Sequence, residues 1–432
     1  MSINRRDILK FLVLVIMVFV PLYPKFPFIS VSGTFVTVRA EDFLIGASLL
    51  LWIGLNLGDY RVLTSKIFRA FIIFSFIGFV SMLSSVFVTK TVEVPIGFLH
   101  WARRIEYFVP FLIASSFVKS RREINFIVKI LMIVIFAVFL YGVGQKYFRV
   151  PIITTQNAEY SRGVAQTYNP GGHLISTFAG HYDMASFLVF VLPIIWLVLL
   201  EDGRSWKMRI VAVLVIAAGF WLLIQSVSRI SFATYLGGVS LAMILGRKYK
   251  FVPLFLIISM LFIVFAGNLL ARYGNIIEVG IRRLYASEAS VPQRRVSEEE
   301  PTPVPIPVFE DRSTSIRLNV EWPRAIRAWK KNMLLGTGYS SITLATDNDF
   351  LRALGEVGIL GLAAFCILLV RVFQVGLSGL KKERTIFAGF IGGFAAVLVN
   401  AMFIDIFEAS KFAMMFWLMT GLLYSYAKHL EK

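Results

Sequence analysis

The chain has 432 residues, 57% of them hydrophobic, 15% aromatic and only 16% charged, which excludes a soluble globular domain because a bilayer must cover most of its length. A formal net charge of +18 would also suit a nucleic-acid binder, but in so apolar a chain the positive-inside rule explains the excess, and no nucleic-acid partner is expected. With Cys366 the single cysteine and no HxxxH or HExxH spacing among His100, His173, His181 and His429, an intrachain disulfide is excluded and neither a metal nor another cofactor is expected.

Apolar runs of about 17 to 25 residues can cross a hydrocarbon core of about 30 Å. Such runs predict twelve helices, near residues 9–23, 43–57, 67–88, 105–117, 127–143, 184–200, 210–224, 230–245, 251–271, 356–375, 387–404 and 412–426. The first follows a basic start, Arg5, Arg6 and Lys10, yet no small-residue cleavage site precedes Pro21 and Pro24, so it reads as a retained helix. If the N-terminus is cytoplasmic, the cations of alternate short loops all fall on that side: Arg61 and Lys66, Lys119 to Arg122, Arg204 to Arg209, Arg247 to Lys250, Lys381 to Arg384, and Lys428. The expectation is an all-α polytopic protein, one integral membrane domain over 1–432, with both termini in the cytoplasm.

The opposite side then holds two long connections, 145–183 and 272–355. The second is rich in arginine, and loops longer than about 60 residues escape the orientation rule, so topology does not explain its cations. Within it, 287–310 is a Pro-, Ser- and Glu-rich stretch that reads as flexible. After it, SIRLNVEWPRAIRAWKKN sets Ile316, Val320, Ala325 and Trp329 against Arg317, Glu321, Arg324 and Arg327 at helical spacing. This predicts an amphipathic helix on the outer interface, bent at Pro323.

Several residues could carry chemistry. Arg229 lies in QSVSRIS, a polar island between two apolar runs. An arginine at the bilayer centre costs about 2.5 to 3.5 kcal/mol, so the island should be a tight outer turn or face a wet cavity. It is either a plain hairpin turn or, with Ser226, Ser228 and Ser231, a set of donors for an anion. Arg317, Arg324 and Arg327 are either a solvated face, with Glu321 paired to Arg317, or a clamp for a diphosphate, whose oxygens match guanidinium forks. Asp347 and Asp349, in ATDNDFLRALGEVGILGL, are either helix caps or include a general base that takes a proton from a sugar hydroxyl. The GTG at 336–338 reads as a turn, since no Walker lysine follows. Tyrosines near His173, His181 and Asp183 suit an aromatic belt, or sugar stacking.

Taken together, these motifs resemble the O-antigen ligase and polymerase superfamily of bacterial membrane glycosyltransferases. RLNVEWPRAIRAWKKNMLLGTGY followed by DNDFLRALGEVGILGL looks like the family's arginine, tryptophan, G-x-G turn, [H/D]N-x-x-L and E-x-G-x-x-G series. SVSRIS, GHYDMASFLVFVLP, RAEDFLI and RRIEYFVPF also look familial. The resemblance implies metal-independent transfer, with inversion, of a glycan from undecaprenyl diphosphate to a sugar hydroxyl. It implies diphosphate-binding roles for Arg229 and Arg317, and Asp347 is expected to be the base that activates the acceptor hydroxyl. Further substrate contacts are expected from Arg324, Arg327, Asn348, His181 and Tyr339. Where ligases usually carry histidine before the asparagine, this chain has Asp347 before Asn348, which favours a chain polymerase.

The expected function is therefore a polysaccharide polymerase of the bacterial inner membrane that joins lipid-linked repeat units. A flippase and a chain-length regulator are its expected neighbours, and membrane lipids surround it. Alternatives are a ligase delivering finished glycan to a lipid A core or protein, and a transporter, which would need ionisable groups deep within spans and a repeat between halves.

Overall fold

The computed structural model of the protein describes residues 4–30, 37–56, 62–153, 167–169, 172–264, 315–343 and 345–431. The helices are α1 (Arg5–Leu22), α2 (Ala40–Leu55), α3 (Lys66–Phe87), α4 (Val94–Ala114), α5 (Arg121–Tyr147), α6 (His181–Leu199), α7 (Trp206–Gln225), α8 (Arg229–Leu245), α9 (Val252–Val264), α10 (Trp322–Lys331), α11 (Asp349–Leu380), α12 (Arg384–Ala401) and α13 (Ser410–Leu430). All but α10 overlap the predicted spans one for one. Six, α3, α5, α6, α7, α11 and α12, are by themselves long and apolar enough to cross a bilayer. The protein is an all-α polytopic membrane protein. The flexible stretch 287–310, most of the 272–355 connection, part of the 145–183 connection and the end of the ninth span lie outside the described residues.

Two elements differ from the sequence expectation. A short antiparallel hairpin, β1 (Pro27–Ser30) and β2 (Thr37–Arg39), joins α1 to α2. Helix α4 begins eleven residues before the apolar run that predicted it at 105, at Val94. Hydropathy fails there because the charges on α4 are spent inside the protein: Arg103 pairs with Asp42 of α2 at 2.9 Å, and Arg104 pairs with Glu408.

Ion pairs also gather the basic loops at one end of the bundle. Arg121 bridges Glu201 at 2.6 Å and Glu383 at 2.5 Å, and Lys248 meets Asp202 at 2.7 Å. At the opposite end lie the N-termini of α6, α8 and α11.

Helix α6 is buried along nearly its whole length. Lipid tails are as apolar as leucine, so helices associate in a bilayer through close packing of small residues and interhelical hydrogen bonds. Both operate at α12. Gly389 and Gly393 lie against the α6 backbone at Ile194 and Phe190, and Gly392 against Gly238 of α8. About two turns on, Asn400 donates to Ser186 of α6 at 3.0 Å and to Ser231 of α8 at 3.1 Å. A Cβ at Gly393 would collide with the Phe190 carbonyl oxygen. Gly393→Ala should therefore cost about 1–3 kcal/mol of overpacking. Scanning fluorimetry in detergent should show a lowered unfolding midpoint, and an unchanged midpoint would contradict this contact.

Candidate active site

The SVSRIS island forms the turn between α7 and α8. Ser228 caps α8, accepting from the Ser231 N–H at 3.3 Å, and Ser226 Oγ accepts from the Ser228 N–H at 3.3 Å. Between them Val227 is held at φ 54, a left-handed conformation that costs a β-branched residue on the order of 1–3 kcal/mol. The buried serines sustain that strain, and the turn places Arg229 in the first turn of α8, half-buried.

Arg317 opens a single π-helical turn, Arg317–Glu321, in which the Trp322 N–H reaches back to the Arg317 carbonyl. Pro323 explains the wider turn: its ring has no N–H and crowds the carbonyl four residues earlier, and a π turn absorbs both defects. Pro323 thus starts α10 rather than bending it. Ala325 is buried against Gly355 of α11, whereas Ile316, Leu318, Val320 and Ile326 are exposed. Arg317 points into the protein with its side chain only 12% exposed.

There it meets Asp347 rather than Glu321. Arg317 donates to Asp347 Oδ2 from Nε at 3.0 Å and from Nη2 at 2.7 Å. Asp347 is not a helix cap. That role belongs to Asn348, whose Oδ1 accepts the Leu351 N–H at 2.9 Å while its Nδ2 donates to the Met402 carbonyl at 2.9 Å. Nor does Asp349 cap: buried, it accepts the N–H groups of Ile406 at 2.9 Å and Phe407 at 3.2 Å. Asp347 itself sits at φ 50, a conformation Asp tolerates better than most residues.

Tyr182, in the first turn of α6, lies beside Arg317 and within electrostatic reach of Asp347 and Arg229. Its ring is 4.0 Å from that of His181, which stacks on His173 at 4.1 Å, and His173 Nδ1 lies 3.2 Å from the Ser226 carbonyl oxygen. The structure therefore brings together Arg229, Arg317, Asp347, Asn348 and His181 from four parts of the chain. Arg324 is adjacent, interacting with Glu321, and its buried Nη1 donates to no group among the described residues. Arg327 is exposed on α10. Tyr339 is elsewhere: buried under the GTG turn, it packs on Gly78 of α3, with the Arg104 guanidinium 5.4 Å from its ring. The GTG is a turn, tied by Thr337 N–H to Gly355 O at 3.0 Å and Gly338 N–H to Glu356 O at 2.7 Å. These bonds meet a kink in α11 at Gly358, φ 69, where any side chain would strike the Leu334 carbonyl.

Residues the sequence reading passed over complete the site. Asp405, between α12 and α13, accepts from the Thr346 N–H at 2.7 Å, the Asn348 N–H at 2.9 Å and Arg352 Nη1 at 2.9 Å. Arg352 also faces Glu356 at 3.4 Å and Glu408 at 3.5 Å, so a charged network underlies the Asp347 loop.

Burial raises the Asp347 carboxyl above its ordinary range; Arg317 opposes the shift and Asp405 adds to it. Glu321 is pushed up to about 7, by burial first and then by the charges of Asp347 and Asp405. A carboxyl raised in the folded state contributes stability that is fully present below its unfolded value, about 4.3, and is lost as pH rises through the folded value. Glu321→Gln should therefore match wild type in unfolding midpoint near about pH 4 and exceed it near about pH 8. Equal midpoints at both would show that Glu321 is not held near these carboxylates.

Fold and site define a polytopic membrane protein with an anion-ready cluster at one end of its bundle. Residues 214–366 match the family model described as O-antigen ligase. That stretch runs from within α7 to within α11 and contains Arg229, Arg317 and Asp347. Over it the resemblance to the O-antigen ligase and polymerase superfamily is borne out, and the activity indicated is of the ligase or polymerase type. No curated protein matches the chain.

Proposed function

We propose that the protein is a polysaccharide polymerase that moves a growing glycan from undecaprenyl diphosphate to the sugar hydroxyl of a lipid-linked repeat unit. The observation that carries this reading is the Arg317–Asp347 pair held beside Tyr182 and Arg229, where the N-termini of α6, α8 and α11 add their positive ends. In the reaction the bond between the anomeric carbon and the phosphate oxygen breaks, and the diphosphate departs with the electron pair. The acceptor oxygen attacks the opposite face, so the configuration inverts, and its proton passes to Asp347. Arg317 and Arg229 neutralise the charge growing on the diphosphate, the largest electrostatic demand of the step, without a metal. Arg324 and Arg327 extend the clamp, and His181 and Asn348 line the acceptor side.

The Arg317–Asp347 pairing fits this sequence of events. Both Arg317 contacts fall on one oxygen of Asp347, Oδ2. A diphosphate that draws the guanidinium away leaves that carboxylate without its cation, and therefore a stronger base. The exposed Ile316, Leu318 and Val320 suit a π turn lying at the lipid surface, where both polyprenyl tails would stay in the bilayer. In this reading the site faces outward from a bacterial inner membrane, the termini are cytoplasmic, and a flippase supplies the units while a chain-length regulator acts on the product.

Asp347 in place of the ligases' histidine favours polymerase over ligase. Purified protein should be given lipid-linked repeat units alone, then the same units with a lipid A core acceptor. A ladder of products from units alone supports polymerisation. Transfer only when the core is present would make the protein a ligase.

A further inference from the structure

We propose that Asp405 is the positioning residue of this reaction, gripping the chain on both sides of Asp347 so that the catalytic carboxylate is held in its left-handed turn facing Arg317. The inference rests on the transfer reading of the site.

The geometry is specific. Asp405 Oδ2 accepts the N–H of Thr346 at 2.7 Å and Oδ1 the N–H of Asn348 at 2.9 Å, so the residues immediately before and after Asp347 are bound by one side chain. Between these two anchors Asp347 has φ 50, and a residue at positive φ keeps that conformation only where its surroundings determine it. Asp405 is itself fixed by Arg352 Nη1 at 2.9 Å. Asp349, by contrast, takes the amides of Ile406 and Phe407 and so ties the same two segments together without touching either amide beside Asp347. The two aspartates thus separate loop closure in general from the presentation of Asp347 in particular.

Asp405 also acts through space. The groups facing Asp347 are Arg317 from the π turn, Tyr182 from α6, with Arg229 of α8 beyond it, Glu321 at the start of α10, and Asp405 from the α12–α13 connection. Arg317 favours the ionised carboxylate and Asp405 disfavours it. Removing the Asp405 charge therefore lowers the pH at which Asp347 gains its proton.

The test is the pH profile of kcat for purified protein on lipid-linked repeat units, together with hydrogen exchange of peptides spanning 345–350. Asp405→Asn keeps one acceptor oxygen but loses the charge and one amide anchor. It should lower kcat by about 10²-fold, with KM changed less than about threefold, because misplacement of a catalytic group by about 1 Å costs that much. The acidic limb should move to lower pH, and the 345–350 peptides should exchange at least about tenfold faster. Asp405→Glu keeps the charge and displaces the anchor, so kcat should fall while the limb stays at its wild-type position. Asp349→Asn should lower the unfolding midpoint and leave the limb in place. If Asp405→Asn does not accumulate in membranes, Asp405→Glu carries the test, and wild-type kcat in it overturns the proposal. Unchanged exchange and an unchanged limb in Asp405→Asn overturn it as well, even where wild type transfers glycan normally. A wild-type protein that transfers nothing, while the peptides still respond, would instead refute the transfer reading and leave Asp405 a loop anchor without a catalytic role.

Discussion

Asp347→Asn is expected to lower turnover of lipid-linked repeat units by roughly 10² to 10⁴-fold, the usual worth of a general base. Because Asn348 is the cap of α11, the substitution does not disturb helix capping. Asparagine also retains an acceptor oxygen for Arg317, so the loss of stability should be on the order of 1 kcal/mol. The rate loss corresponds to about 2.7 to 5.5 kcal/mol at the transition state, well above that cost. Since burial raises the Asp347 carboxyl, the acidic limb of kcat in wild type should lie above about 4, the ordinary aspartate value. Glu321 is the internal control: it is close by and is itself pushed up to about 7. Glu321→Gln should keep turnover within about tenfold of wild type. Near-normal chain extension by Asp347→Asn, with turnover lost in Glu321→Gln, would move the base to Glu321.

Arg317→Ala should abolish polymer formation, with turnover down by about 10³-fold or more and membrane insertion intact, as expected when a cation that stabilises leaving-group charge is removed. Arg317 both faces the leaving group and holds Asp347, so its removal should cost more than the loss of either function alone. Arg317→Lys should rescue only a fraction, since an ammonium is a point charge and cannot make the forked contact. Arg229→Ala should act in the same direction without changing the Asp347 limb, because Arg229 reaches the cluster through Tyr182. Full activity of both alanine variants, measured by product ladders from purified protein, would remove the diphosphate clamp. Outward placement of the loop is a separate question that labelling answers. A cysteine at Ser297 in a Cys366→Ser background should react with an impermeant maleimide from outside, and reaction only from the cytoplasmic side would overturn the orientation.

Much of this was legible in the sequence because bilayers impose a simple rule. A run that must satisfy its own backbone in hydrocarbon is a helix, and twelve runs became twelve helices. The rule fails where charge is neutralised inside the protein. The first turns of α4 were invisible to hydropathy because the partners of Arg103 and Arg104, Asp42 and Glu408, come from distant parts of the chain. The same limit applied at the site. Arg317 and Asp347 could each be singled out by residue type, but their pairing spans thirty residues and depends on the π turn that Pro323 imposes. Helical spacing pointed to Glu321 as the partner of Arg317, and tertiary geometry chose Asp347. Asp405 gave only a faint signal. It lies in FIDIFEASK, where two carboxylates occupy a short connection between apolar runs, facing a loop rich in arginine. Acids stranded opposite unexplained cations were the clue available.

Glycan transfer by this cluster must release a polyprenyl diphosphate for each bond it makes. The direct measurement is the ratio of diphosphate released to glycosidic bonds formed, by mass spectrometry, with purified wild-type protein in lipid nanodiscs supplied only with lipid-linked repeat units. One diphosphate should be freed per bond formed, with both quantities lost together in Asp347→Asn. Repeat units that stay unjoined by wild type in nanodiscs, yet cross the bilayer when the protein is placed in vesicles, would contradict it and make the protein a transporter.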